Sequence, residues 1–150
     1  MKIRSLEERD LEALSEMVAR LARHHGDTPV TGVSVLRRDC PGRAAWLPVW
    51  VAEHDGRLLG YAAALRRVQM KFGQRGCELH HLFVDEAWRG QGVEQALVAA
   101  VRDCARGQGC GWMTVGTDPE NHAAQRFYRD LGFEEVESRG MRFRRRLEAG

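Results

Sequence analysis

A strand that runs directly into a glycine-containing turn and then a helix narrows what a chain can fold into, and residues 78–101 read that way. Leu79, His81 and Phe83 alternate with Glu78, His80, Leu82 and Val84, which predicts a strand with the two sets on opposite faces. The pattern breaks at Asp85-Glu86-Ala87. Arg89-Gly90-Gln91-Gly92-Val93 follows, and then Val93, Leu97, Val101 and Cys104 recur at helical spacing. The first amides of a helix have no partner within it and point outward, at the positive end of the helix dipole. Glycines at 90 and 92 allow a bulky anion to approach the backbone closely, and Arg89 adds a fixed positive charge at the rim.

Spacing separates the known phosphate-binding designs. A dinucleotide fingerprint needs a third glycine, but position 95 is Gln95. The Gly-Lys-Ser/Thr end of a Walker loop is absent from the chain. Bulk composition excludes other classes. A net charge of +2 is too small for nucleic-acid binding by electrostatics alone. No apolar run approaches a membrane span, and the opening MKIRSLEERD does not read as a signal peptide. The four cysteines, Cys40, Cys77, Cys104 and Cys110, include no C-x-x-C pair, which suits reduced thiols in a cytoplasmic protein. At 150 residues the expectation is one domain with one core.

Taken in order, Lys2 to Ser5 predicts a first strand. A helix follows, capped by Asp10, with Leu11, Leu14, Val18 and Leu21 on one face to about His24. Val33 to Asp39 predicts a short second helix. Trp46 to His54 and Arg57 to about Met70 predict strands joined by an Asp55-Gly56 hairpin, with Gly60 marking a bulge or close backbone approach. After the opening strand and helix, Trp112 to Thr117 predicts a parallel strand. A helix with Pro119 just inside it, capped by Thr117 or Asp118, carries Ala124, Phe127, Tyr128 and Leu131 on one face and stops at Gly132. Phe133 to Ser138 and Met141 to Leu147 predict a closing pair of strands. In the last, Arg142, Arg144 and Arg146 form one face and Phe143 and Arg145 the other, a charge-guarded edge rather than a nucleic-acid site.

Two stretches carry a family resemblance. Residues 89–94 resemble motif A of the GNAT N-acetyltransferases, Gln/Arg-x-x-Gly-x-Gly/Ala after a strand ending in Val. Arg89 and Gly92 match, and Glu94 departs from the small residue expected there. Residues 121–133 resemble motif B, Asn-x-x-Ala-x-x-Phe/Leu-Tyr-x-x-x-Gly-Phe, with Asn121, Ala124, Phe127, Tyr128, Gly132 and Phe133 all matching. With the hairpin, the resemblance covers roughly residues 47 to 138. It implies an α/β (α+β) GNAT fold over residues 1–150, a mixed sheet of about seven strands with about four helices, in the order β-α-α-β-β-β-α-β-α-β-β.

The resemblance also implies the chemistry: an acetyl group moves from acetyl-CoA to a primary amine by direct attack. The implied cofactor-binding positions are Leu82, Phe83, Val84, Arg89, Gly90, Gln91, Gly92, Val93 and Glu94, with Asn121, Ala124, Phe127 and Tyr128. Tyr128 takes the place of the acid that protonates the leaving thiolate; an ordinary phenol is protonated at neutral pH. An alkyl ammonium must lose a proton before attack, and Glu78 and His80, two apart on one strand face, are candidates for the base, with Glu53 a third. His81 is expected to point the other way. That placement also argues against a metal shared by His80 and His81.

Glu94 has two readings. Its carboxylate either repels the phosphates or turns to solvent and favours the helix start by its charge. The first opens the alternative of a GNAT-fold CoA-binding or regulatory module without catalysis. Further enzymatic alternatives are another acyl group and a protein N-terminus or lysine as acceptor. The implied substrate region includes His24, His25, Asp27, Asp39 and Trp46. Convergence of Asp27, Asp39, Glu53 and Glu78 would attract a small cationic amine. Homodimerisation is expected by family analogy.

Overall fold

The computed structural model describes residues 1–138 and 140–147. The chain groups into two compact units, Met1–Gly116 and Thr117–Gly150. In the first unit one five-stranded sheet runs in the order β1 (Lys2–Ser5), β2 (Val49–His54), β3 (Arg57–Gln69), β4 (Gln74–Val84), β5 (Cys110–Val115). Helices α1 (Leu11–His24) and α2 (Val33–Asp39) connect β1 to β2, and α3 (Val93–Gly107) connects β4 to β5. Strands β1 to β4 pair antiparallel, while β4 and β5 pair parallel, which is why a helical crossover has to join them. The second unit contains α4 (His122–Asp130).

The 3.6-residue spacing of α1 buries Leu11, Leu14, Met17 and Leu21 against one sheet face, where Val49, Val51, Tyr61, Ala63 and Phe83 meet them. Each such aliphatic side chain contributes about 1.5–3 kcal/mol by leaving water. Ala52 and Ala62 project to the other face and are fully buried; α3, which contacts β2 through β5, buries Val93, Leu97, Val98 and Val101. Among the described residues no helix is long and apolar enough to cross a membrane.

The Asp55-Gly56 turn has φ of 49° and 75°, the left-handed conformation that a two-residue hairpin of this twist requires. Gly60 marks a close approach. A Cβ there would clash with the Phe83 carbonyl oxygen, well inside van der Waals contact, and lie 3.0 Å from Val84 Cγ2. Gly60→Ala is therefore expected to lower stability by about 1–3 kcal/mol through overpacking. A urea midpoint equal to wild type would show that the β3–β4 pairing yields instead.

Several expectations change. Asp10 does not cap α1; its carboxylate accepts from Arg4 and the Glu7 amide. The strand predicted from Trp46 starts at Val49, and Trp46 is exposed. The sheet has five strands, not about seven. Residues 133–138 and 140–147 contain no strand, and Val136, Met141, Phe143 and Leu147 are exposed. Alternation alone does not make a strand, because strands exist through pairing, and the described backbone of these segments joins no ladder.

Candidate active site

The pairing of β4 decides where its polar side chains point. Ala62 lies opposite Leu82 and Ala63 opposite His81, but Ala64 lies opposite Leu79. His80 is thus the extra residue of a β-bulge. Leu65 opposes Glu78 and Ala63 opposes His81; 63 and 65 share a face, so Glu78 and His81 do too. His80 joins them, its ring stacked on His81 at 4.4 Å and 6°. The expected placement of His81 away from His80 is overturned, because one inserted residue reverses the phase of every side chain beyond it. The argument that the two rings cannot face one ion falls with it. Among the described residues, however, no group of three or more His, Cys, Asp or Glu assembles.

Three of the polar groups on this face have polar partners. The Tyr61 hydroxyl lies 3.1 Å from His81 Nδ1. Burial, then the charge of His80 and of His25, pushes His81 down to about 4, so it is neutral at physiological pH. Glu78, one third exposed at its side chain, lies 3.6 Å from Arg67. His80 is exposed. Glu53 does not belong here. It pairs across from Leu58 while Glu78 pairs across from Leu65, which puts them about 23 Å apart along β3 at ~3.3 Å per residue. Its carboxylate holds Arg4 at 2.8 Å, and Asp39 pairs with the adjacent Arg38 at 2.8 Å. The expected convergence of Asp27, Asp39, Glu53 and Glu78 on one cation therefore fails at Glu53.

On its other edge β4 pairs with β5 only as far as Leu79 opposite Val115. From His80 to Val84 that edge has no partner strand among the described residues, so its amides and carbonyls, the Val84 carbonyl apart, stay available to an extended ligand. Leu82 is half-buried, while Phe83 and Val84 are buried in packing, leaving their backbone to serve a ligand. Beyond Val84 the chain is tied down. Asp85 N–H donates to the Leu59 carbonyl at 2.7 Å, and the Asp85 carboxylate accepts from Arg20 at 3.2 Å and the Ala87 amide at 3.2 Å. The Arg20 hydrogen bond, then that of Ala87, holds the carboxyl below its ordinary range. Arg89 Nε–H donates to the Val84 carbonyl at 3.0 Å, which fixes the turn on the end of β4, and Gln91 donates to the Ala87 carbonyl at 3.0 Å.

Gly90 and Gly92 have φ of 72° and 91°, and a Cβ at either would meet nothing within 4 Å. Gly92 begins α3 with no side chain capping it, and Val93 is buried against the sheet. The open space, the left-handed backbone and the unspent helix-start amides fit a diphosphate. Glu94 modifies this cradle. Its Oε1 accepts from the Gly90 amide at 3.4 Å, and its Oε2 is buried without a partner among the described residues. The reading in which the side chain turns to solvent is corrected: one helical turn brings the carboxylate back over the loop amide, in the manner of a capping box.

In the second unit, Asn121 Oδ1 accepts from the Ala124 amide at 3.0 Å and caps α4. Asp118, expected as the cap, bonds the Glu120 amide at 2.8 Å in a turn, so Pro119 precedes the helix rather than opening it. Gly132, at φ 93°, ends α4: its N–H donates to the Arg129 carbonyl and that of Phe133 to the Tyr128 carbonyl, each at 3.0 Å, the paired bonds of a Schellman stop. Tyr128 stands edge-on to Phe127 at 5.1 Å and Phe133 at 5.4 Å, and burial pushes its hydroxyl up to about 12. Ala124 and Phe127 are half-buried on the same helix. His81 and Tyr61 are the polar pair that strand periodicity misses, since nothing in the residues between 78 and 84 announces the bulge.

Comparison with known proteins adds the following. The family model described as the acetyltransferase (GNAT) family matches residues 13–133. An aminoglycoside N(6')-acetyltransferase type 1 of Salmonella enteritidis is 31% identical over 146 residues, spanning 91% of this chain and 94% of that protein. The human N-acetyltransferase 8B is 35% identical over 87 residues, and the match spans only 38% of its length. Among solved structures, the aminoglycoside N-acetyltransferase AAC(6')-Iy in complex with CoA superposes with a TM-score of 0.73 at 30% identity, over 97% of this chain and 100% of that one.

Proposed function

Because this chain belongs to the acetyltransferase (GNAT) family, we propose that it moves an acetyl group from acetyl-CoA to a primary amine of a small molecule, in one catalytic domain over residues 1–150. One observation carries the reading: the edge of β4 left open beyond Leu79 leads without interruption into the Arg89–Gly92 turn and the start of α3. An extended pantetheine chain suits such an edge, and a diphosphate suits the turn at its end. The acceptor class is supported by the Salmonella relative, which is matched over nearly its whole length and is named for an aminoglycoside amine.

Acetyl-CoA supplies an acyl carbon activated as a thioester. Backbone of Leu82, Phe83 and Val84 would bind its arm and polarise the thioester carbonyl, and Arg89, Gly90, Gln91, Gly92 and Val93 would bind its phosphates. Asn121, Ala124 and Phe127 are assigned to the same ligand by motif match. His80, exposed beside Glu78, takes a proton from the acceptor ammonium, and the freed nitrogen forms the new C–N bond as the C–S bond breaks. Tyr128 gives its proton to the departing sulfur. The second nitrogen proton leaves to solvent as the amide forms. Glu78 is the other candidate base, though its pairing with Arg67 draws its charge away from an ammonium. The reading extends to a cytoplasmic homodimer, supported by four free thiols and by family analogy.

Calorimetric titration with acetyl-CoA and CoA, followed by thiol release with an aminoglycoside bearing a 6′-amine, a polyamine and an amino acid, tests this. Binding and amine-dependent thiol release are expected. No binding at millimolar ligand would sink it. Glu94→Gly removes a carboxylate that occupies the Gly90 amide, so it is expected to tighten CoA about tenfold. Unchanged affinity would mean that the carboxylate swings aside at no cost.

A further inference from the structure

We propose that Tyr61 and His81 are positioning residues for His80: the buried tyrosine hydroxyl fixes the His81 ring, and the flat face of that ring holds His80 in the orientation that receives the amine proton. The inference rests on the acetyl-transfer reading and on His80 as its base.

An exposed histidine on a regular strand is free to turn about two side-chain bonds. The bulge removes that freedom by giving His80 no residue opposite it and setting it beside His81 on one face. The rings are nearly parallel, 6° apart with centroids at 4.4 Å, which is a stack of one flat face on the other. His81 is anchored in turn. Tyr61 is only 1% exposed, is wedged against Phe83 at 6.1 Å, and has its hydroxyl 3.1 Å from His81 Nδ1. Burial keeps that hydroxyl protonated, and the hydrogen bond between it and Nδ1 fixes the plane of the His81 ring in either tautomer.

Charged and titratable groups face the pair from three elements. From β3 come Tyr61 and Arg67, from β4 Glu78, and from the end of α1 His25, whose charge adds to the cost of protonating His81. Arg20 of α1 lies over Phe83 at 5.2 Å, another positive charge on this side of the sheet. His81 stays neutral. A neutral, fixed neighbour differs from a second base: it orients the ring without competing for the proton.

The test combines a substrate-free and a kinetic readout. The His80 ring C–H resonances are followed by NMR against pH without ligand, and kcat and KM are measured, in wild type, Tyr61→Phe, His81→Phe and His81→Leu. Stacking predicts a ring-current shift of the His80 resonances that His81→Leu abolishes and His81→Phe, which keeps a flat ring, retains. It also predicts an approximately tenfold fall in kcat for His81→Leu at unchanged KM for acetyl-CoA, with His81→Phe, which keeps the flat face but loses the bond to Tyr61, recovering no further than Tyr61→Phe. Tyr61→Phe, which removes only the hydroxyl, is expected to lower kcat in the same direction, and it decides the matter should His81→Leu fail to fold. Wild-type His80 resonances or wild-type kcat in the informative variants would overturn the proposal. A wild-type protein inert with every amine would instead overturn the acetyl-transfer reading, and the His80 resonances would still report whether the stack exists.

Discussion

Replacing Tyr128 with phenylalanine is expected to lower turnover by about 10²–10⁴-fold, the usual contribution of a positioned acid, while the Kd for CoA stays near its wild-type value. The substitution deletes one hydroxyl and keeps the ring, so the edge-on contacts with Phe127 and Phe133 survive. The Schellman stop at Gly132 uses only main-chain atoms and survives too. What disappears is a proton donor whose pKa burial has pushed up to about 12, a group that remains protonated through the neutral range and is able to give its proton to a thiolate. The measurement is kcat by thiol release beside Kd by calorimetry. Loss of both together would mean a binding role, and equal turnover would remove Tyr128 as the acid.

The second large effect concerns stability. Arg4 on β1 is 10% exposed at its side chain and bonds Asp10, 6% exposed, at 2.7 Å and 3.0 Å, and Glu53 on β2 at 2.8 Å. Arg4→Ala leaves the Asp10 carboxylate buried without its cation and is expected to cost about 3 kcal/mol, because an uncompensated buried charge loses its partner while its desolvation remains. Chemical denaturation of the purified variant checks this; a loss under about 0.5 kcal/mol would mean that water reaching Asp10 from the neighbouring cleft replaces the arginine. The pair also sets a pH dependence. Burial alone would raise the Asp10 pKa, but the Arg4 hydrogen bonds, the Glu7 amide and the Arg4 charge outweigh it and hold the carboxyl below its ordinary value. A lowered native pKa makes stability complete above the unfolded value of about 4 and removes it as pH falls through the native one. Wild type should therefore lose stability below about pH 4 more steeply than Arg4→Ala.

Much of the architecture is written in local chemistry. Lys2–Ser5, Val33–Asp39, the Asp55-Gly56 hairpin and the Gly132 stop all stand where propensity and turn chemistry put them. The turn proposed to hold the phosphates is equally local, since the open glycines and the first turn of α3 lie within a few residues of one another. Glu94 is legible as a departure but not in its consequence. Whether its carboxylate meets solvent or the Gly90 amide depends on a side-chain direction, and that is decided by what else competes for the amide.

The amino-acid sequence by itself determined the order of the elements as far as α4, the faces of α1 and α3 that become core, and the two motifs that mark the acetyltransferase (GNAT) family, because these depend on residues near one another along the chain. Three matters were left to the tertiary structure. The last two predicted strands are not strands, since pairing rather than alternation makes a ladder. Glu53 on β2 and Glu78 on β4 pair with β3 residues seven apart, since the strand registers set their distance. His80 and His81 stack on one face because β3 and β4 pair one residue out of step there, and that step arises from how two whole strands fit together, a property no single stretch of the chain contains.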